Sequence, residues 1–325
     1  MNSTILITGG CGFLGTSLIA QLLKVKLFDT IRVLDNFLEG QPTDLGEITE
    51  YTVSDAKNCL QHQGVVLIEG DIRDQETAEL CCRDVDCIVH LAANTGVPPS
   101  VENPRMDMES NVNGLFNMLE AARHNKVSKF IFASSGAPAG TVEPPIHEEL
   151  PPHPVSPYGA SKLAGEGYCS AYYHSYGVNT VCLRFGNVFG PRSKKKSSVV
   201  AKFIRQALAG EECHIYGDGS QTRDFIYIDD LVNAIILSIT KDVGGETFQI
   251  ASGTEMTVDE IVDIIKANLK NHGVEMAVIY DSPRRGDVKR NYSDTSKAKK
   301  ILGWTTNMDI HKGVALTINY FLELK

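Results

Sequence analysis

The sequence predicts an α/β fold of the doubly wound kind, a parallel sheet with helices on both faces, joined to a smaller C-terminal α/β lobe. Three observations carry this. Apolar, β-branched runs alternate with amphipathic stretches through the first half of the chain, the pattern that βαβ units leave in a sequence. The first run passes straight into Gly9-Gly10-Cys11-Gly12-Phe13-Leu14-Gly15, after which Phe13, Leu14, Leu18, Ile19 and Leu22 recur at helical spacing. An acid, Asp35, ends the second run, about 20 residues beyond the glycines.

The strands of the first half are expected at 4–8, 31–35, 65–69, 86–91 and 129–134, each followed by a polar or glycine-containing turn and a helical pattern. Between Asp35 and Val65 the chain is rich in Gly, Pro, Asp and Gln. That is too long for an ordinary βα connection and predicts a short helix around Thr49 to Leu60 as a surface elaboration. A further strand is expected at 179–184, then shorter ones near 213–216, 224–228, 246–250 and 276–280, separated by helices. The Pro-dense stretch from Pro138 to Pro157 reads as an ordered loop over a site. Residues 1–185 then form the first domain and 186–325 mainly a substrate lobe, the two interleaved, with roughly 220–250 returning to the first.

With 325 residues, 42% hydrophobic and 22% charged, the chain has the composition of a globular protein. A formal charge of −9 disfavours nucleic acid and anionic membrane surfaces as partners. The eight cysteines show no paired CxxC and no Cys/His cluster at zinc spacing, so they are expected to be reduced, buried thiols with no metal site. The chain enters a strand at Thr4 without a basic leader, and no apolar run approaches a membrane span. A cytoplasmic location is the expectation.

Glycine suits a strand-to-helix turn that must bend tightly, approach a pyrophosphate closely and leave helix N–H groups free for phosphate. An acid at the end of the next strand can hydrogen-bond ribose hydroxyls and repels a 2′-phosphate. Gly9, Gly12, Phe13, Leu14, Gly15 and Asp35 in this order predict a Rossmann-type domain that binds NAD rather than NADP.

Tyr158 and Lys162 stand four residues apart just after Pro157, so they project from one helix face. An ammonium nearby favours a phenolate, which lets a tyrosine act as a base near neutral pH. Ser134 and Ser135 end the apolar run Phe130–Ala133, where loops beyond a parallel sheet build a crevice. Either hydroxyl could polarise a substrate oxygen or act only as a turn residue.

Over nearly its whole length the chain resembles the extended short-chain dehydrogenase/reductases, and within them the NAD-dependent nucleotide-sugar epimerase/dehydratase group, most like the UDP-sugar 4-epimerases. The glycines match Gly9, Gly12 and Gly15; Asp35-Asn36 matches the ribose-binding pair. Gly70-Asp71-Ile72-Arg73-Asp74 matches the segment beside the adenine, which brings in Asp71 and Ile72. His90-Leu91-Ala92-Ala93 resembles the loop along the nicotinamide side, and Asn111-Val-Asn-Gly114 the helix after it. Ser135, Tyr158 and Lys162 align with the catalytic triad. For the substrate, the resemblance implies Asn187 in Arg184-Phe-Gly-Asn187, Arg223 in Gln-Thr-Arg223-Asp-Phe, and Arg284 as the second diphosphate contact. A guanidinium fork satisfies phosphate oxygens bidentately, and two forks suit a diphosphate. It also implies a homodimer through two helices per subunit, 105–124 and 156–176, the latter carrying Tyr168, Tyr172 and Tyr173.

Two departures bear on the chemistry. Where the family reads Ser-x-x-Val-Tyr-Gly, this chain has Ser135-Gly-Ala-Pro-Ala-Gly140. Relatives that dehydrate or decarboxylate the sugar carry an acid just after the serine or threonine, and here those positions are Gly136 and Ala137. Inversion of carbon 4 through a 4-keto intermediate needs only the Tyr/Lys/Ser set and bound NAD. A dehydratase or decarboxylase that takes its acid from elsewhere, and a non-catalytic NAD and sugar-nucleotide sensor, are the alternatives. The resemblance implies a UDP-linked sugar, leaving hexose, N-acetylhexosamine and hexuronate open, because an uncharged Asn291 at a pocket position does not decide among them.

Overall fold

A computed structural model describes residues 3–283 and 288–324. The chain divides into two compact units, one of Met1–Gly140, Pro151–Arg184 and Ile235–Phe248, the other of Thr141–Leu150, Phe185–Ala234 and Gln249–Lys325.

In chain order the first strands are β1 (Thr4–Thr8), β2 (Thr30–Asp35), β3 (Thr52–Ser54), β4 (Gly64–Glu69), β5 (Cys87–His90), β6 (Lys129–Ser135) and β7 (Thr180–Phe185). Then come β8 (Asn187–Phe189), β9 (Cys213–Tyr216), β10 (Thr222–Arg223) and β11 (Phe225–Tyr227). The last are β12 (Thr247–Ile250), β13 (Met256–Thr257) and β14 (Val278–Asp281). The helices begin with α1 (Phe13–Val25), α2 (Pro42–Gly46), α3 (Gln75–Cys81), α4 (Val97–Glu102), α5 (Pro104–Met108) and α6 (Gly114–His124). They continue with α7 (Pro157–Tyr176), α8 (Val199–Ala209), α9 (Ile228–Thr240), α10 (Val258–Lys270) and α11 (Ile310–Glu323).

Eight strands make one sheet in the order β12-β7-β6-β5-β1-β2-β4-β3. β1 pairs in parallel with β2 on one side and β5 on the other, so the winding reverses at β1. The crevice at that reversal, beyond the carboxyl ends of the strands, is where a doubly wound sheet binds its ligand. β1 and β2 are buried along their whole lengths, which is why they read as unbroken apolar runs rather than as an alternation. α1 turns Leu18, Ile19 and Leu22 inward, and one core joins Leu6, Leu34, Ile88, Leu115, Phe130 and Phe132. The doubly wound α/β fold is the one the sequence predicts.

The expected helix at Thr49 to Leu60 is absent. Thr52–Ser54 adds β3 in parallel along β4, pairing with Val66 to Ile68, and only Cys59–Gln61 turns helically. β-Branched Thr52 and Val53 meet an open strand edge there, and that pairing overrides the weak local helix preference. α2, which the sequence did not suggest, is closed by a reciprocal cap between Gln41 and Asp44 with Pro42 in its first turn.

The second unit holds three two-stranded sheets: β8 with β11 in parallel, β9 with β14 in parallel, and β10 with β13 antiparallel. Buried Trp304 donates its indole N–H to Asp230 O at 2.8 Å. The chain leaves the first unit after Gly140, contributes Thr141–Leu150 to the second, and returns at Pro151. In the second unit this segment is fixed by Ile146, which exchanges backbone hydrogen bonds with Tyr292 and Asp294. Glu148 also accepts from the backbone N–H of Gln249 at 2.7 Å.

Among the described residues no helix is long and apolar enough to cross a membrane, and no group of three or more His, Cys, Asp or Glu could hold a metal ion. All eight cysteines are buried, none of them in a disulfide.

Candidate active site

The glycine turn is built by close approach. Gly9 has φ +69°, and a Cβ on it would lie 2.8 Å from the backbone N of Ala92. Gly15 is tighter still, because a Cβ there would fall 2.4 Å from Gly10 Cα. Gly12 caps α1 without a side-chain acceptor, so the first N–H groups of Phe13 and Leu14 keep no side-chain cap and the positive helix end stays open to an anion. Sequence reasoning missed Gly40, whose Cβ would be 2.2 Å from Cys11 C. It lets the chain after β2 cross directly over the turn, and no spacing rule marks it.

Asp35 is buried, accepting from Cys11 N–H at 2.9 Å on Oδ2 and from Phe37 N–H at 2.9 Å on Oδ1. A carboxylate oxygen can accept more than one hydrogen bond, so capacity for a ribose hydroxyl remains on a carboxylate aimed by the glycine turn itself. Asn36 donates to Asp71 at 3.0 Å, and Arg73 holds Asp71 at 2.7 Å, which takes the Asp71 carboxyl down to about 2. Ile72 is buried, and its Cδ1 would lie 2.6 Å from a Cβ on Gly114. Leu91 and Ala92 are tied to β1 by hydrogen bonds to Thr8 O and Thr8 Oγ1 at 3.1 and 3.2 Å, and Ala93 follows, half-buried. Bare helix-end donors, a cradle that any Cβ would fill and an aimed carboxylate fit a dinucleotide.

Ser135 ends β6, and Tyr158 and Lys162 occupy the first turns of α7, whose N-cap Ser156 accepts from Gly159 N–H at 3.1 Å. Burial pushes the Tyr158 phenol up to about 12, and the Ser135 hydroxyl opposes that rise. Lys162 is buried, donates to Ala133 O at 2.8 Å, and lies 4.9 Å from the Phe132 ring centre and 5.9 Å from that of Tyr158. Burial takes the Lys162 ammonium down to about 8. Ser134, the other hydroxyl at this strand end, is turned away and donates to Glu166 at 2.5 Å.

Glu166, Asp107 and Ser161, beneath this cluster, escaped the sequence, and Asn111 enters it only as the first residue of the Asn111-Val-Asn-Gly114 match. Glu166 takes both arms of Arg184. Asn111 sits in a π-helical turn, Glu109–Asn113, between α5 and α6. It donates to Asp107 at 3.0 Å, Ser161 at 3.1 Å and Asn94 O at 3.0 Å, and it accepts from Asn94 N–H at 2.8 Å. An Asp and an Asn four apart on an otherwise buried helix face were the available signal.

Asn187 and Arg223 belong to the second unit. Asn187 opens β8, its backbone N–H bonded to Asp224 O at 2.8 Å. Arg223 lies on β10 and donates to Thr222 O and Val288 O at 2.7 and 2.8 Å. Asn291 is held there by its backbone N–H on Thr222 Oγ1 at 3.2 Å. In the same unit Tyr216, Gly217, Gln221, Tyr280 and Val288 line part of a cleft of about 730 Å³. Arg284 lies outside the described residues.

Residues 5–251 match the model of the NAD dependent epimerase/dehydratase family. The chain is 32% identical to a UDP-glucose 4-epimerase of Mycolicibacterium smegmatis over 97% of each chain. Among solved structures it is similar to the UDP-glucose 4-epimerase of Thermotoga maritima with UDP-glucose, at 33% identity and a TM-score of 0.88 over 99% of both chains. It is also similar to the UDP-glucuronic acid 4-epimerase of Bacillus cereus in complex with UDP-glucuronic acid and NAD, at 28% identity and a TM-score of 0.87 over 99% of this chain and 100% of that one.

Proposed function

The chain belongs to the NAD dependent epimerase/dehydratase family, and from that premise we propose that it inverts carbon 4 of a UDP-linked sugar. NAD is the cofactor of this family; when bound, it supplies the acceptor and later the donor of a hydride.

The observation that carries the reading is the company Tyr158 keeps: the Ser135 hydroxyl and Lys162 beside it, and a following segment Gly136 to Gly140 with no carboxyl group. Tyr158, as phenolate, takes the proton of the 4-hydroxyl and returns it after the 4-keto sugar has presented its other face. Lys162 stabilises the phenolate by its charge, and Ser135 hydrogen-bonds the reacting oxygen. Elimination of water or loss of carbon dioxide would need a further acid in contact with the sugar. The nearby carboxyl of Asp107 is buried and hydrogen-bonded to Asn111, which withholds it from that role.

The second unit is proposed to hold the sugar nucleotide through Asn187 and Arg223, with Arg284 as the other diphosphate contact. Hexose, N-acetylhexosamine and hexuronate are the candidate sugars. The test is incubation of the purified protein with UDP-glucose, UDP-N-acetylglucosamine and UDP-glucuronate without added NAD, followed by proton NMR and mass spectrometry. A 4-epimer of unchanged mass is expected; a product lighter by water or carbon dioxide would reject epimerisation.

We further propose a homodimer through the α5–α6 stretch and α7. Of the expected Tyr168, Tyr172 and Tyr173, Tyr168 is exposed, while Tyr172 is buried and Tyr173 packs against Gly244 and Gly245 of its own unit; Phe116 and Tyr176 are exposed as well.

A further inference from the structure

Lys162 carries an ammonium in a site nearly closed to water. Its one direct polar partner among the described contacts is a carbonyl, Ala133 O at 2.8 Å, and aromatic faces of Phe132 and Tyr158 flank it. A buried cation of this kind needs a counter-charge. The charged and titratable groups around it come from four elements: Tyr158, Glu166 and Cys169 of α7 itself, Asp107 of α5, His90 of β5, and, through Glu166, Arg184 of β7. His90 is kept neutral by burial, and burial holds the Cys169 thiol protonated. Glu166 is already committed to both arms of Arg184 at 2.8 and 2.7 Å and to Ser134 at 2.5 Å. Asp107 is left. It is 1% exposed, and no cation lies in ion-pair contact with it among the described residues.

We propose that Asp107 is a positioning residue of this site, the counter-ion that keeps Lys162 charged, aimed by Asn111 and Ser161. Hydrogen bonds supply the aiming. Asn111 Nδ2 donates to Asp107 Oδ1 at 3.0 Å and to Ser161 Oγ at 3.1 Å, and Ser161 in turn donates to Tyr158 O at 3.0 Å. The carboxylate is therefore locked to the first turn of the helix that bears Tyr158 and Lys162. Burial raises the Asp107 carboxyl, while the Ser161 hydroxyl beside it and the Lys162 charge oppose that rise. Asp107 is also the first of the charges that sustain the Lys162 ammonium. The negative charge acts on Tyr158 in the same direction, disfavouring its phenolate. Asp107 thus places both groups at higher pH than they would otherwise have.

The inference rests on the epimerase reading for its consequence in catalysis but not for its test, which has two arms. In the first, lysines are labelled with ¹³C at Cε and the Lys162 signal, assigned by its loss in Lys162→Arg, is followed with pH and without substrate. Its titration midpoint is expected to fall by about one pH unit in Asp107→Asn and in Asp107→Ser. In the second, the pH profile of turnover is expected to move to lower pH on both limbs in both variants, a loss of about tenfold at a pH above the alkaline limb. A midpoint unchanged in either folded variant, or a profile lowered in height with its limbs in place, overturns the proposal. If the midpoint falls but no sugar nucleotide is turned over by the parent protein, Asp107 keeps its role and the epimerase reading fails.

Discussion

Glu166 grips Arg184 at two points, 2.8 and 2.7 Å apart, one helical turn beyond Lys162. Both side chains are almost fully buried, at 8% and 9% exposed. Breaking such a pair from one side leaves a charge without a partner, which costs far more than the pair contributes net. Arg184→Ala is therefore expected to lower stability by about 3–5 kcal/mol in urea unfolding. A loss under about 1 kcal/mol would mean that water reaches Glu166 and that the pair is effectively exposed.

Gly15 faces Gly10 so closely that a methyl group would sit 2.4 Å from its Cα. Both partners are backbone, so neither can swing aside, and α1 must shift away from the turn. Gly15→Ala is expected to retain NAD at least about tenfold more weakly, with overpacking of about 1–3 kcal/mol, measured as nucleotide released from purified protein by acid. Wild-type NAD content in that variant would remove the turn from the cofactor site.

These two sites differ in how far the sequence discloses them. The glycine turn and Asp35 are local features, a strand end, a helix start and the next strand end, so periodicity and spacing reach them. Tyr158 and Lys162 share one helix and were equally legible. The Asp107–Asn111–Ser161 network closes across 50 residues, from Asn111 to Ser161, and Glu166 meets a residue on a different strand. Apart from the four-residue step from Asp107 to Asn111, such contacts are set by packing and leave no spacing in the chain. The edge strand Thr52–Ser54 reads as helix in the sequence for a related reason, since its conformation comes from the open side of β4.

His90 titrates against the fold. Burial pushes its imidazole down to about 3 from 6.5. As pH falls below about 6.5 the unfolded chain gains a proton on this histidine while the native protein does not. Stability present above that pH is therefore lost progressively on acidification toward about 3. At pH 5 the loss from this residue is about 2 kcal/mol relative to pH 8. His90→Gln, which keeps a neutral partner for Thr8 Oγ1, 2.9 Å from His90 Nδ1, is expected to lose that much less between the two pH values in urea unfolding. Equal losses would assign the acid lability to other groups.

Tyr158→Phe removes only the hydroxyl that stands beside Ser135. On the proposed mechanism this deletes the proton carrier, and turnover of the sugar nucleotide is expected to fall about 100- to 10,000-fold while the melting temperature stays within a few degrees of wild type. A variant with wild-type turnover would refute the assignment of Tyr158 as the base.

Phe116 and Tyr168 meet edge to face, 5.7 Å between ring centres, and each is 40% exposed. Met108 and Tyr176 are likewise exposed, at 41% and 58%, on the helical segments that carry them. Aromatic surface of this kind on paired helices is the composition of an interface core rather than of a solvated face. A charge at its centre would be desolvated without a partner, so Phe116→Glu is expected to turn the proposed dimer into a monomer at micromolar concentration in sedimentation velocity. Circular dichroism should be unchanged, because Phe116 is not part of the subunit's own buried core. A wild-type protein that sediments as a monomer, or a Phe116→Glu protein that remains dimeric, would place the association elsewhere or exclude it.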